Sequence, residues 1–340
     1  MKRTLIIAEA GVNHNGDITR AIELVHAAAV AGADYVKFQS FKTEKIVSRN
    51  AKKALYQSAN IGNGDDSQYN MLRELELSES HHEMLIEVCR NEGIGFLSTA
   101  FDNDAIDYLD SLGIPFFKVP SGEITNYPYL KRVAEKGKPV IVSTGMANIA
   151  EIGDAIGVLL KYGVQKGEII VLHCTTEYPT PMEDVNLTAM GHISKQFGVQ
   201  VGYSDHTLGI EVSIAAVALG AVVIEKHFTL NRNLPGPDHK SSLEPNELEA
   251  MVRAIRNVEI AVQGSGIKEL GFSEARNRDI ARKSLFTTKK LASGHILEEN
   301  DLIPLRPGTG ITPMKWCDVV GKKLTIDLDA NHMLRLSDFQ

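Results

Sequence analysis

Two histidines, His206 and His227, each close an apolar segment whose last residues turn polar, in VGYSDHT and VVIEKHFT. Neighbouring parallel strands lie about 4.8 Å apart, so two imidazoles at matching strand ends can hold one ion. Neutral imidazole is the commonest metal ligand. Two His without Cys suit Mn²⁺, Fe²⁺, Co²⁺ or Zn²⁺. Read more plainly, each His is a hydrogen-bonded core residue. Two lysines stand in similar apolar settings, Lys37 in YVKFQ and Lys118 in FFKVPSGE. A lysine inside a strand is costly to bury without an anionic partner. Such cations among the hydroxyls of Ser98, Thr99, Ser121, Ser143, Thr144, Thr176 and Ser204 suit a phosphate or a carboxylate. A structural pairing of the lysines with Glu9 or Glu123 is the alternative. A desolvated lysine can also form a Schiff base, which would make the chain a class I aldolase. Glu9, Glu123 and Glu225 are candidates for moving protons. A bound metal would polarise a carbonyl oxygen. Anion clamp, Lewis acid and carboxylate together point to carbon–carbon bond chemistry on a phosphorylated substrate.

These residues need a scaffold that brings many strand ends to one place. Strand-like segments cover Leu5–Val12, Asp34–Phe41, Gly95–Phe101, Phe116–Glu123, Pro139–Met146, Ile169–Thr176, Gln200–Thr207 and Val222–Thr229. Helical patterns separate them, from Thr19–Ala31 to Gly209–Leu219, and Glu247–Val262 follows the last. Near-continuous apolar strands alternating with amphipathic helices predict a parallel sheet covered by helices. Eight such units predict a closed (β/α)8 TIM barrel, whose catalytic groups come from strand C-terminal ends. No G-x-G-x-x-G follows the first strand, which disfavours an open dinucleotide-binding sheet. The stretch Thr43–Ser78 reads as a long loop on the catalytic face.

The pattern changes near Gly264. We expect a barrel over 1–265, a charged linker with a short helix over 266–283, and a loop-rich module over 284–340. That module is near the lower limit for an independent core and should lean on another surface.

With 340 residues, 43% of them hydrophobic, the chain can bury a sizeable core. A net charge of −7 argues against sequence-independent nucleic-acid binding, which needs a basic surface. Three widely spaced cysteines suit a reducing cytoplasm, and Cys174 reads as a buried thiol. Glu9 interrupts the apolar run of MKRTLIIAEAGV too early for a signal-peptide core. The longest apolar run is too short to span a bilayer, so no membrane association is expected.

The motifs IAEAGVNHNG, VKFQSF, FLSTAFD, KVPSGE, VSTGM, LHCTTEYPTP, GYSDHT, IEKHFTL and GPDHKSSLEP together resemble the sialic acid synthase family, in order along nearly the whole barrel. ASGHILEENDL, LRPGTGI and VVGKKL look like that family's C-terminal antifreeze-like (SAF-type) domain. The resemblance implies an α/β TIM barrel followed by that small domain. It implies condensation of phosphoenolpyruvate with an open-chain N-acetylated hexose, giving a nine-carbon 2-keto acid and phosphate. The first expectation is N-acetylneuraminate synthase using N-acetylmannosamine. HCTTEYPTP and KSSLEP also resemble members that make N,N'-diacetyllegionaminate from 2,4-diacetamido-2,4,6-trideoxymannose.

The resemblance further implies a divalent metal on His206 and His227, Mn²⁺ first, with Mg²⁺ or Co²⁺ as alternatives. Its phosphoenolpyruvate contacts match Lys37, Thr99, Lys118, Ser121, Ser143 and Ser204, with Gln39 and Thr176 counted among the substrate contacts. Some members carry Asn in place of Thr175 or Thr176. Sugar-side and acid/base residues match Glu9, Asn63, Glu123, Tyr178 and Asp238. Arg306 matches an Arg supplied by a second subunit, which implies a homodimer with exchanged C-terminal domains. An ice-binding role for the tail is disfavoured, because Lys322, Lys323, Asp327, Asp329 and Arg335 interrupt any flat uncharged face.

Overall fold

The computed structural model describes residues 3–61 and 64–340. It divides into two compact units, Met1–Gln263 and Gly264–Gln340.

The first unit holds eight parallel strands: β1 (Leu5–Gly11), β2 (Tyr35–Ser40), β3 (Gly95–Ala100), β4 (Phe117–Val119), β5 (Val140–Ser143), β6 (Ile169–His173), β7 (Gln200–Asp205) and β8 (Val223–His227). Their hydrogen-bonded order is β3-β2-β1-β8-β7-β6-β5-β4. The two ends of that order, β3 and β4, neighbour each other, so the sheet closes on itself as the (β/α)8 pattern predicts.

Side chains alternate between the two faces of a strand, and here the faces differ sharply. Outward residues such as Ile6, Ala8, Val36, Phe38, Val140, Val171, Tyr203 and Ile224 pack against the helices in one apolar core. Inward, a second core of Ile7, Leu97, Ile141, Leu172 and Val223 plugs one end of the barrel. The next inward positions toward the C-terminal ends are polar: Glu9 after Ile7, Lys37 after Tyr35, Thr99 after Leu97, Ser143 after Ile141, and Glu225 then His227 after Val223. One period-two step thus converts an apolar plug into a charged tier.

Two expectations change in detail. The fourth strand stops at Val119 instead of running to Glu123, because Pro120 has no N–H for the ladder and Ser121–Glu123 turns into a 3-10 helix. The stretch predicted as a loop over Thr43–Ser78 contains three short helices, Thr43–Ile46, Leu55–Ile61 and Gln68–Glu74. Among the described residues no helix is long and apolar enough to cross a membrane.

The second unit begins with an exposed segment that carries the helix Phe272–Ala281. An antiparallel pair follows, β9 (Ser284–Thr287) and β10 (Leu302–Leu305). Leu285, Leu291, Leu297, Leu302, Val319, Leu324, Leu328 and Leu334 form its core. Two like-spaced devices brace it. His295 Nε2 meets Asp301 Oδ2 at 2.6 Å, and His332 Nε2 meets Asp338 Oδ2 at 3.0 Å. Each Asp also caps the N–H three residues before it, at Glu298 and Arg335.

Candidate active site

The charged tier is built around Glu225. Its Oε1 takes Lys118 Nζ at 3.1 Å and the Ser204 hydroxyl at 3.0 Å, and its Oε2 lies 3.3 Å from Lys37 Nζ. Lys37 Nζ also meets Glu9 Oε2 at 2.8 Å and donates to Thr99 Oγ1 at 2.9 Å. All six side chains are buried. Ladder pairing explains the assembly: Glu9 sits opposite Lys37 and His227, and Ser204 sits opposite Glu225. The sequence reading offered Glu225 only as a proton carrier. Its place as hub follows from parity, since Glu225 and His227 share the inward face while Lys226 points out.

Charge is unevenly held in this tier. Burial pushes the Glu9 carboxyl up to about 7, against the pull of Lys37 and with the support of the Glu225 charge. Burial would raise Glu225 too, but Lys118 and Lys37 together hold it well below the usual carboxylate range. Burial works to discharge both lysines. It prevails at Lys118, whereas Glu225 and Glu9 keep Lys37 above its ordinary value. With both lysines protonated, two cations face one full carboxylate and one that is half protonated near neutral pH. The surplus is positive, among buried side chains, and suits an anion.

A hydroxyl cradle adjoins it. Gly145 N donates to Ser121 Oγ at 3.0 Å, and Ser121 Oγ lies 3.3 Å from the buried Cys174 thiol. A Cβ on Gly145 would fall 2.0 Å from Thr176 Oγ1 and 2.8 Å from Ser121 Oγ. Only a glycine lets these hydroxyls approach so closely. Thr176 Oγ1 and Ser143 Oγ are buried without a hydrogen-bond partner. Orphaned buried hydroxyls cost free energy unless a ligand takes them.

The two histidines face each other with ring centroids 5.5 Å apart, and Tyr178 lies against both, at 4.1 Å from His206 and 5.7 Å from His227. His206 Nδ1 meets the Thr175 carbonyl at 2.7 Å. That contact makes Nδ1 the donor and leaves Nε2 as the lone-pair nitrogen. His227 Nδ1 is buried with no hydrogen-bond partner. Burial lowers His206 to about 4 and His227 well below its ordinary value, the latter with help from His206. Both imidazoles are therefore neutral at pH 7, as a metal ligand must be. No third His, Cys, Asp or Glu joins them as a cage among the described residues. An ion here would keep most of its positions for water and substrate.

The remaining predicted residues scatter more. Gln39 Nε2, Glu9 Oε1 and His227 Cε1 surround the bare face of Gly11, each within 3.5 Å of where a Cβ would stand. Glu123 is half-buried, raised by that burial, and accepts from Asn126 Nδ2 at 2.5 Å, with no ion pair to the charged tier. Asp238 lies in the loop after β8, and burial lifts its carboxyl to about 6. Arg306 belongs to the second unit, where its Nε donates to the Ala281 carbonyl at 3.0 Å. Asn63 lies outside the described residues.

Comparison with known proteins agrees with this architecture. The family model described as the NeuB family matches residues 24–268, and the SAF domain matches 282–340. The N,N'-diacetyllegionaminic acid synthase of Campylobacter jejuni is 51% identical over 335 residues, covering 98% of this chain and 100% of that protein. The enzyme of the same description from Legionella pneumophila is 47% identical, covering 97% and 92%. A solved structure of the N-acetylneuraminic acid (sialic acid) synthetase of Leptospira borgpetersenii superposes with a TM-score of 0.70 at 33% identity, covering 81% of this chain and 90% of that one.

Proposed function

The chain belongs to the NeuB family and ends in a SAF domain, and from that premise we propose that it is an N,N'-diacetyllegionaminic acid synthase. It is a nonulosonic acid synthase by kinship with both relatives. The finer reading is that it joins phosphoenolpyruvate to 2,4-diacetamido-2,4,6-trideoxymannose. Full-length identity of 51% to a protein of that activity carries it. This reverses the order in which the family resemblance ranked the two acceptors, with N-acetylmannosamine now second.

In this reading carbon 3 of phosphoenolpyruvate bonds to the sugar's aldehyde carbon, water adds at carbon 2, and the C–O bond to phosphate breaks. Lys37 and Lys118 hold the anionic groups of phosphoenolpyruvate, and Ser121, Ser143, Thr176 and Ser204 offer hydroxyls to its oxygens. Glu9, balanced near neutrality, takes or returns a proton at its carboxyl oxygen. His206 and His227 are suited to hold a divalent ion, Mn²⁺ first, through neutral imidazole nitrogens. When bound, the ion supplies a Lewis acid for the carbonyl oxygen. Tyr178 walls the imidazoles on one side and Asp238 is a sugar-side contact.

We extend the proposal to a homodimer in which Arg306 serves the other subunit's barrel. The second unit is small, and Met314 and Leu336 on it are 90% and 78% exposed, as a module that leans on a partner would be. Three free thiols suit a cytoplasmic protein. The test is phosphate release from phosphoenolpyruvate with Mn²⁺ and each acceptor in turn. A higher kcat/KM with the diacetamido sugar supports the proposal. A preference for N-acetylmannosamine makes the chain a neuraminate synthase, and no turnover with either removes both.

A further inference from the structure

The outward faces of β7 and β8 are apolar along Val201, Tyr203 and Ile224, where they meet the helices. At the last outward position of each strand the pattern breaks. Asp205 and Lys226 stand opposite each other in the ladder, are both fully buried, and form an ion pair of 3.0 Å. The Asp205 carboxylate takes four donors. Oδ1 accepts from Thr207 N at 2.9 Å and Thr207 Oγ1 at 2.7 Å, and Oδ2 accepts from Ser213 Oγ at 2.7 Å besides pairing with Lys226. Lys226 Nζ donates in turn to the Thr207 carbonyl at 2.5 Å.

Both backbone polar groups of Thr207 are thus gripped by the pair. His206 lies between Asp205 and Thr207, and His227 follows Lys226. The His206 carbonyl is also held, accepting from Thr180 N at 2.9 Å. The His227 carbonyl likewise accepts from Leu243 N at 2.9 Å. A buried ion pair is a poor source of stability compared with apolar packing of the same volume. Its value here lies in geometry: it ties the chain on either side of one imidazole to the residue preceding the other.

We propose that Asp205 and Lys226 are positioning residues, a buried ionic staple on the helix side of the barrel that sets the spacing and aim of His206 and His227 on the inner side. The inference rests on reading those histidines as metal ligands. Groups that orient ligands from behind are commonly worth 10–100-fold in metal affinity. Among the described residues the side chains of the staple make their hydrogen bonds and ion pair with Thr207, Ser213 and each other, and none with the anion tier or the hydroxyl cradle. Its loss should therefore weaken metal binding more than phosphoenolpyruvate binding.

The test uses the full-length protein and Mn²⁺ alone, titrated by electron paramagnetic resonance, which reads free Mn²⁺ without turnover. Phosphoenolpyruvate binding is measured by calorimetry on the same samples. The D205N/K226M double variant removes the charges and keeps an amide to hold Thr207. We expect it to bind Mn²⁺ about tenfold or more weakly while its phosphoenolpyruvate affinity stays within threefold. Loss of both would indicate general damage and overturn the positioning role. A folded double variant with wild-type Mn²⁺ affinity would also overturn it. H206A separates the two levels: if it binds Mn²⁺ like the wild type, the metal reading itself fails. Should the double variant not fold, T207V and S213A strip single donors from Asp205. A several-fold weaker Mn²⁺ affinity in T207V then supports the staple, and unchanged affinity in both overturns it.

Discussion

Replacing Lys118 with methionine asks whether the charged tier is an anion site. The side chains are similar in length, and Lys118 lies in the barrel interior with its Nζ 3.1 Å from Glu225 Oε1. With both lysines protonated, the wild-type tier at pH 7 sets two positive charges against Glu225 and a Glu9 half protonated near 7, a surplus of about half a charge. Without Lys118 the balance changes sign and the tier repels a phosphate or a carboxylate. One unit charge about 4 Å from an anionic oxygen, at an effective dielectric near 20, is worth about 4 kcal/mol. Glu225, freed of its first cation, can take up a proton and return part of that. We therefore expect KM for phosphoenolpyruvate, or its Kd by calorimetry, to rise between about tenfold and a thousandfold, the upper figure being the full Coulomb term. Acceptor KM should move little. The assay is phosphate release at saturating acceptor, with a thermal melt to confirm folding. A folded K118M protein whose phosphoenolpyruvate KM lies within threefold of wild type would refute the electrostatic reasoning.

Three further outcomes follow from the same geometry. In G145A a methyl group must enter where Thr176 Oγ1 would lie 2.0 Å away; overpacking of this kind costs about 1–3 kcal/mol. The melting temperature should fall, and adding T176A should restore part of it, the closer of the two clashes being removed and that with Ser121 Oγ at 2.8 Å remaining, while phosphoenolpyruvate affinity stays weak. Protonation of Glu9 adds one unit of positive charge below its pKa of about 7, so phosphoenolpyruvate should bind more tightly at pH 6 than at pH 8. Glu9→Gln should flatten that profile relative to wild type, a comparison that cancels the ligand's own titration; an unchanged slope would remove Glu9 from the site. Mixing inactive Arg306→Ala and Lys118→Ala proteins should recover part of the activity if each barrel borrows its partner's Arg306, and no recovery after subunit exchange would count against sharing.

The barrel was legible because its signal is strong and repeated. Eight near-continuous apolar strands ending in polar residues, each followed by an amphipathic helix, make a pattern that no single residue can spoil, and the lysines stand out because burial makes them expensive. The stretch from Thr43 to Ser78 was not legible as helices. The helices there have four to seven residues, too short for a 3.6-residue period to repeat twice. The one over Gln68–Glu74 depends on a local cap, Ser67 Oγ accepting from Asn70 N at 3.2 Å, which composition alone cannot distinguish from a turn. Glu225 was visible as a residue but not as a hub. Ser204 is its ladder partner on the preceding strand, but Lys37 and Lys118 come from β2 and β4, and only closure of the barrel brings them across to the same carboxylate. The like-spaced His–Asp braces at His295 and His332 lie in GHILEEND and NHMLRLSD, where the residues between each pair differ and no repeat marks them.

The same register explains how one barrel end can serve an anion and a cation side by side. Burial discharges any lone ionisable group, so an undifferentiated pocket would hold neutral lysines and neutral histidines alike. Glu225 breaks that symmetry. Its carboxylate reaches both lysines and counters their discharge, while the imidazoles have no partner of that strength. Lys37 and Lys118 act on His227 only as repelling charges, which press it further toward neutrality. Parity along β8 then separates three adjacent residues by task. Glu225 faces inward to pair with both lysines, His227 faces inward with a free lone pair, and Lys226 between them turns outward to Asp205. A shift of one residue in the pairing of β8 would exchange those faces, so the chemistry is tied to the same apolar alternation that closes the barrel.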